Sequence, residues 1–118
     1  MSNSGLIVSK LQGIIDLVKI FNLHEMFNEG VCLGGKENGR FLRNEVEIAL
    51  SSGSVVVDFD HLPLITQSFS DEFLGPIVAH EGKKVFDQLT FKNCSEDIQV
   101  ILTSTAGRFL AHGAGAMR

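Results

Sequence analysis

The run Val55-Val56-Val57-Asp58-Phe59 constrains this chain more than any other stretch. Three consecutive β-branched residues favour extension, and an apolar run without alternation asks for cover on both faces, as in an inner strand of a parallel or mixed sheet. Asp60 to Thr66, which includes Pro63, reads as a turn out of that strand. Ser68 then stands three residues before Asp71, the spacing of a helix N-terminus, with Asp71 and Glu72 in its positive first turn. Phe69, Phe73, Leu74, Ile77 and Val78 give this helix a buried face. Gly75-Pro76 is expected to kink the helix or end it early, because Pro76 has no N–H to donate to the ladder.

Elements of both types flank this unit. From Leu6 to Phe27 the period is ambiguous: Ile7, Leu11, Ile14, Val18 and Phe21 fit one helical face, whereas Leu17 to Phe21 also alternate as a strand would. Strands at Leu6 to Val8 and Ile14 to Phe21, turning near Gly13, are the preferred reading, and a helix stays open. Asn28 to Asn38 reads as a glycine-rich loop with Asn38 as N-cap of the next helix. That helix carries Leu42, Val46, Ala49 and Leu50 on one face and ends at Gly53 as its left-handed residue. After a polar break at Gly82 to Lys84, Leu89 to Phe91 reads as a strand. Ser95, Glu96 and Asp97 open a last helix that buries Ile98, Ile101, Leu102, Thr105 and Phe109.

The expected organisation is an N-terminal segment over 1–13 that supplies an edge strand, one domain over 14–110, and a flexible tail over 111–118. Alternating helices and strands imply crossovers that lay helices on a twisted sheet. A site is then expected where strands end and helices begin, around Asp58 to Glu72.

Composition narrows the function. A length of 118 residues with 44% hydrophobic and 20% charged side chains fits one folded core and argues against disorder. Nine Phe without Trp or Tyr, and a net charge of −4, suit neither base stacking nor phosphate contacts, so nucleic acid is not an expected partner. Cys32 and Cys94 are too far apart for a zinc knuckle and too few for a disulfide scaffold, and they read as free thiols in a reducing compartment. Met1 to Gly5 carry no basic run ahead of an apolar core, and no stretch suits a membrane span, so a cytoplasmic location is expected.

Four pieces of the chain look familiar together: Gly39-Arg40-Phe41-Leu42-Arg43, Val56-Val57-Asp58-Phe59, Ile65-Thr66-Gln67-Ser68-Phe69-Ser70-Asp71-Glu72, and Phe91-Lys92-Asn93. They resemble a family of small bacterial STAS-like proteins of unknown function, over about Ile14 to Phe109. The Gln-Ser-Phe-Ser-Asp-Glu stretch is the most specific piece. The resemblance implies an α/β fold with a mixed sheet packed against helices. It also implies a regulatory docking role like that of the wider STAS group, which includes anti-sigma-factor antagonists. In those antagonists an Asp-Ser-Ser-Gly turn follows the corresponding strand, and a kinase with a histidine-kinase-like ATPase fold phosphorylates its first serine. Set beside that turn, this chain has Thr66, Gln67, Ser68 and Phe69. The phosphoacceptor position therefore holds Gln67, which has no hydroxyl, and the second serine is kept as Ser68.

Each candidate residue has a plainer alternative. Ser68 serves equally as an N-cap contributing roughly 1 kcal/mol. Asp58, Asp60, Asp71 and Glu72 have the chemistry of a divalent-ion site, but first-turn charge explains Asp71 and Glu72 without one. Arg40 and Arg43, at i,i+3 near Lys36, suit a clamp on a partner's carboxylate or phosphate, while pairing with Glu45 or Glu47 explains them as surface charges. His24, His61, His80 and His112 lack zinc spacing, and Ser68 and Ser70 lack a nucleophile elbow.

The expectation is a non-enzymatic docking module without metal or cofactor. Its binding residues are Asp58, Thr66, Gln67, Ser68, Ser70, Asp71, Glu72, Arg40 and Arg43, with Ser68 as the candidate phosphoacceptor. Two other readings stay open. One is a small-ligand or nucleotide sensor using the strand-end crevice near Asp58 and Gln67; the other is a self-assembling subunit that dimerises through an unpaired sheet edge.

Overall fold

The computed structural model describes residues 6–11, 14–28 and 30–112. In chain order its elements are β1 (Leu6–Leu11), β2 (Ile14–Asn22), α1 (Leu23–Phe27), β3 (Cys32–Leu33), α2 (Lys36–Leu50), β4 (Ser54–Asp58), β5 (Leu64–Ile65), α3 (Gln67–Glu81), a 3-10 helix (Lys83–Asp87), β6 (Leu89–Lys92) and α4 (Glu96–His112). The ambiguous N-terminal stretch is therefore extended over Leu6–Leu11 and Ile14–Asn22, and helical over Leu23–Phe27. The turn expected near Gly13 lies outside the described residues, as does residue 113 onward of the expected tail; Ala111 and His112 close α4.

The main sheet has the order β1-β2-β4-β6, antiparallel between β1 and β2 and parallel elsewhere. The valine run is an inner strand, paired on both sides. Its register sets Lys19 beside Val55 and Leu89, and Phe21 beside Val57 and Phe91. Val55 and Val57 are fully buried and join the core with Leu42, Val46, Phe73 and Ile77, whereas Val56 is half-buried. Cover on both faces was the expectation. Instead the core takes alternate residues of β4, because the apolar helix faces meet the Val55 and Val57 side. A second, two-stranded parallel ladder joins β3 to β5, pairing Cys32 with Leu64 and Leu33 with Ile65.

Helix ends differ from those expected in three places. α2 starts three residues early: Gly35, at φ +96°, is its N-cap, and Asn38 lies inside the helix with its amide donating to the Gly34 carbonyl at 2.9 Å. α2 also ends early, at Ser51 in right-handed conformation. Gly53 lies beyond it, where an added Cβ would strike the Leu17 carbonyl of the neighbouring strand. α3 begins at Gln67 with Thr66 as N-cap, so Ser68 is its second residue and Asp71 and Glu72 fall in its second turn.

α3 also runs unbroken through Pro76 to Glu81, against the expectation of a kink or early end. The N–H that Pro76 lacks would have served the carbonyl of Glu72, four residues back. The Arg43 guanidinium of α2 donates to that carbonyl instead, and the same nitrogen lies 3.4 Å from the Glu72 carboxylate. Gly75, before the proline, has no Cβ, and the Phe109 ring of α4 sits about where one would be, 2.7 Å away. On the other side, Gly39 of α2 lets the backbones meet; a Cβ there would stand 2.6 Å from the Phe69 carbonyl.

A chain of phenylalanine rings completes the anchoring of α3. Phe69 lies 6.3 Å from Phe27 and 6.0 Å from Phe73, which in turn contacts Phe91 of the sheet at 6.3 Å. The Phe27–Phe69 and Phe73–Phe91 pairs are edge-on, a favourable arrangement at these distances, and the Phe69–Phe73 pair is tilted.

Arg43→Ala leaves the Glu72 carbonyl without a donor in a partly buried setting, and should cost about 2 kcal/mol in urea unfolding. Introduced into a Pro76→Ala background, which supplies an amide N–H for that carbonyl, the same substitution should cost less than about 1 kcal/mol. Equal costs in the two backgrounds would contradict the substitution of one donor for another.

Candidate functional site

Thr66 is where two helix starts meet. Its Oγ1 accepts the Phe69 N–H at 3.1 Å, capping α3, and the Gly35 N–H at 3.4 Å, beside the start of α2. It also lies 3.2 Å from the Ser68 hydroxyl. Gln67 and Ser68 are exposed at this corner. The cap was expected at Ser68; the chain reaches helical conformation two residues sooner, which leaves the Ser68 hydroxyl outside the capping role.

One turn on, Asp71 ties α3 to α4. Its Oδ1 accepts from the Arg108 guanidinium at 2.6 Å, the Thr105 hydroxyl at 2.8 Å and the Gln67 amide at 2.9 Å. Ser70 is fully buried, with its hydroxyl 2.7 Å from that of Thr105. Thr105 gives its one proton to Asp71, so Ser70 must be the donor in that pair. Ser70 was expected on the contact surface. Burial removes it from any partner's reach, and its hydroxyl instead satisfies the junction of two helices.

Glu72 faces the opposite way, toward α2. Its Oε2 lies 3.4 Å from Arg43 and 3.5 Å from Arg40. The two arginines were expected either on a partner's anion or on Glu45 and Glu47. They meet Glu72 because the close approach at Gly39 brings α2 and α3 together, a contact between residues about thirty apart that helical spacing does not reveal.

Asp58 belongs to a separate group at the end of β4. Its Oδ1 accepts from the Asp60 N–H at 2.9 Å and from the Asn93 amide at 2.8 Å, with Asn93 in left-handed conformation at φ 59°. Asp58 and Gln67, expected to share one crevice, thus enter different hydrogen-bond networks. Asp58, Asp60, Asp71 and Glu72 do not converge, and among the described residues no three His, Cys, Asp or Glu side chains gather as a metal site would. Burial, and then the charge of Asp58, push the Cys94 thiol above its ordinary value, so Cys94 is held as the thiol.

Sequence reasoning missed Thr105, Arg108 and Asn93 as members of these networks. A hydroxyl at an otherwise apolar position of the last helix was the available signal for Thr105: buried, it has to find a partner. Arg108, exposed and one turn further on, gave none. Among the described residues no helix is long and apolar enough to cross a membrane.

Partial burial of Asp71 would raise its pKa, but the bonds from Arg108, Gln67 and Thr105 and the charge of Arg108 outweigh it and hold the carboxyl below its usual range. The folded value is lower than the unfolded one, so this stabilisation is complete above about pH 4 and lost as acid protonates Asp71 in the folded state. Stability measured by urea unfolding should therefore fall as the pH drops below about 4, and Asp71→Asn should flatten that part of the curve. An unaltered acid limb in the variant would contradict the assignment.

The family model described as STAS-like domain of unknown function (DUF4325) matches residues 38–99, from the first turn of α2 to the first turn of α4. No curated protein and no solved structure matches the chain. The matched span covers more than half of the sequence and includes the central strand, α3 and both arginines that meet Glu72. The mixed, largely parallel sheet packed with helices agrees with it, and the chain belongs to this family of STAS-like domains of unknown function.

Proposed function

We propose that the chain is a non-enzymatic regulatory module that offers the start of α3 to a protein partner. One observation carries the reading: Gln67 and Ser68 stand exposed at a helix start whose polar surroundings are already bonded to one another. A surface held in this way loses little freedom when a partner docks, which favours binding. Gln67, Ser68 and Asp71 with the adjacent Arg108 form the contact face, and Thr66, Ser70 and Glu72 hold it in place.

The resemblance to the anti-sigma-factor antagonists suggests the class of partner, a histidine-kinase-like ATPase or another bacterial signalling protein in the cytoplasm. Ser68 is the hydroxyl best placed for modification. A phosphate at the second residue of α3 would meet the positive end of the helix. The carboxylates that would oppose it are partly compensated, Asp71 by Arg108 and Glu72 by Arg40 and Arg43.

Ser68→Arg tests the contact face with little structural risk, since the side chain is exposed and gives up only a 3.2 Å hydroxyl pairing with Thr66 among the described residues. Its unfolding free energy should stay within about 0.5 kcal/mol of the wild type. Affinity capture from lysate of the source cells should lose at least one partner that the wild type retains. An unchanged set of captured proteins would count against this face.

A further inference from the structure

The far end of α3 carries a different feature. Where α2 and α3 both finish, beside the 3-10 helix, they leave a groove of about 300 Å³. Leu50, Ile77 and Val85 line it with apolar surface, and Glu47, Glu81 and His80 add polar and acidic groups. Two helix C-termini, each the negative end of a dipole, point at the same place. The last turn of α2 has no basic residue, and two neutral side chains reach its end: the Ser51 hydroxyl donates to the Ile48 carbonyl at 2.6 Å and the Gln88 amide to the Leu50 carbonyl at 3.3 Å.

Cations of the chain leave this charge largely unanswered. Among the described residues no lysine or arginine lines the groove. His80 bonds Glu81 at 3.1 Å, while Lys83 and Lys84 are exposed and form no ion pair with Glu47 or Glu81 among the described residues. Apolar lining beneath an acidic rim is complementary to a side chain with an aliphatic stem and a cationic head.

We propose that this groove receives a lysine or arginine side chain of a partner protein, its stem over Leu50, Ile77 and Val85 and its head between Glu47 and Glu81. The site is independent of docking at Ser68, because about 20 Å of α3 separates Ser68 from Glu81.

The test is an amide chemical-shift titration of the whole chain with acetyl-alanyl-lysyl-alanine amide, using the norleucyl tripeptide as the uncharged control. The lysyl peptide should give saturable shifts at Leu50, Ser51, Glu81 and Gln88, with affinity on the order of millimolar. The norleucyl peptide should give none. Glu47→Gln combined with Glu81→Gln should weaken the lysyl peptide about fivefold, and Ser68→Arg should leave it unchanged. Absence of saturable shifts at the groove, an equal response to norleucine, or full affinity in the double variant would overturn the proposal.

Discussion

The carbonyl of Glu72 loses its helical donor to Pro76 and is given another by Arg43, which reaches across from α2. On that substitution rests the continuity of α3, and on the continuity of α3 rests most of the molecule. Phe69, Phe73, Leu74, Ile77 and Val78 are all buried along one uninterrupted helix, and they can meet the Val55 and Val57 face together only if the segments before and after Pro76 share one axis. Gly39 and Gly75 serve the same end, by letting α2 approach and Phe109 pack where side chains would hold the helices apart. Fully burying large apolar side chains contributes about 1.5–3 kcal/mol each, so a misdirected second half of α3 would forfeit several such contributions.

Two neighbouring acids then divide the work of holding the helix. Asp71 turns toward Thr105 and Arg108 on α4, and Glu72 toward Arg40 and Arg43 on α2. Individually these are half-exposed ion pairs worth about 0.5–1 kcal/mol. Their placement matters more than their strength, because they fix α3 against rotation on both flanks and leave its first residues facing outward. Thr66 adds a third tether by capping α3 and accepting from Gly35. The chemistry that makes the start of α3 rigid is thus the chemistry that makes it presentable.

Legibility in the sequence followed the range of the interactions. The valine run, the apolar periods of α2, α3 and α4, and the alternation along β2 report local geometry, and the strands and helices lie close to where they point. The element that sets the site was legible too: a helix following a short turn after the central strand. What stayed hidden was set by contacts between distant residues. Pro76 marks a break by its own chemistry, and its tolerance depends on an arginine 33 positions earlier. Asn38, Gly53 and Ser68 each had the right chemistry for a helix end, but the caps are Gly35, Ser51 and Thr66, and the first and last of these are bonded to each other across 31 positions. Five-residue α1 and the two-residue strands are shorter than any period can reveal. Ser70 shows the limit for site residues: a serine within the largely polar stretch from Ser68 to Glu72 reads as surface, and only the packing of α4 makes it core.

Native-state hydrogen exchange along α3 tests the central claim most directly, that one clamped helix spans both sides of Pro76. The amides of Phe73, Leu74 and Gly75 and those of Val78, Ala79 and His80 should exchange with the same opening free energy, close to that of global unfolding. Exchange of the later group through a separate opening, with the earlier group still protected, would show two helical pieces and contradict it.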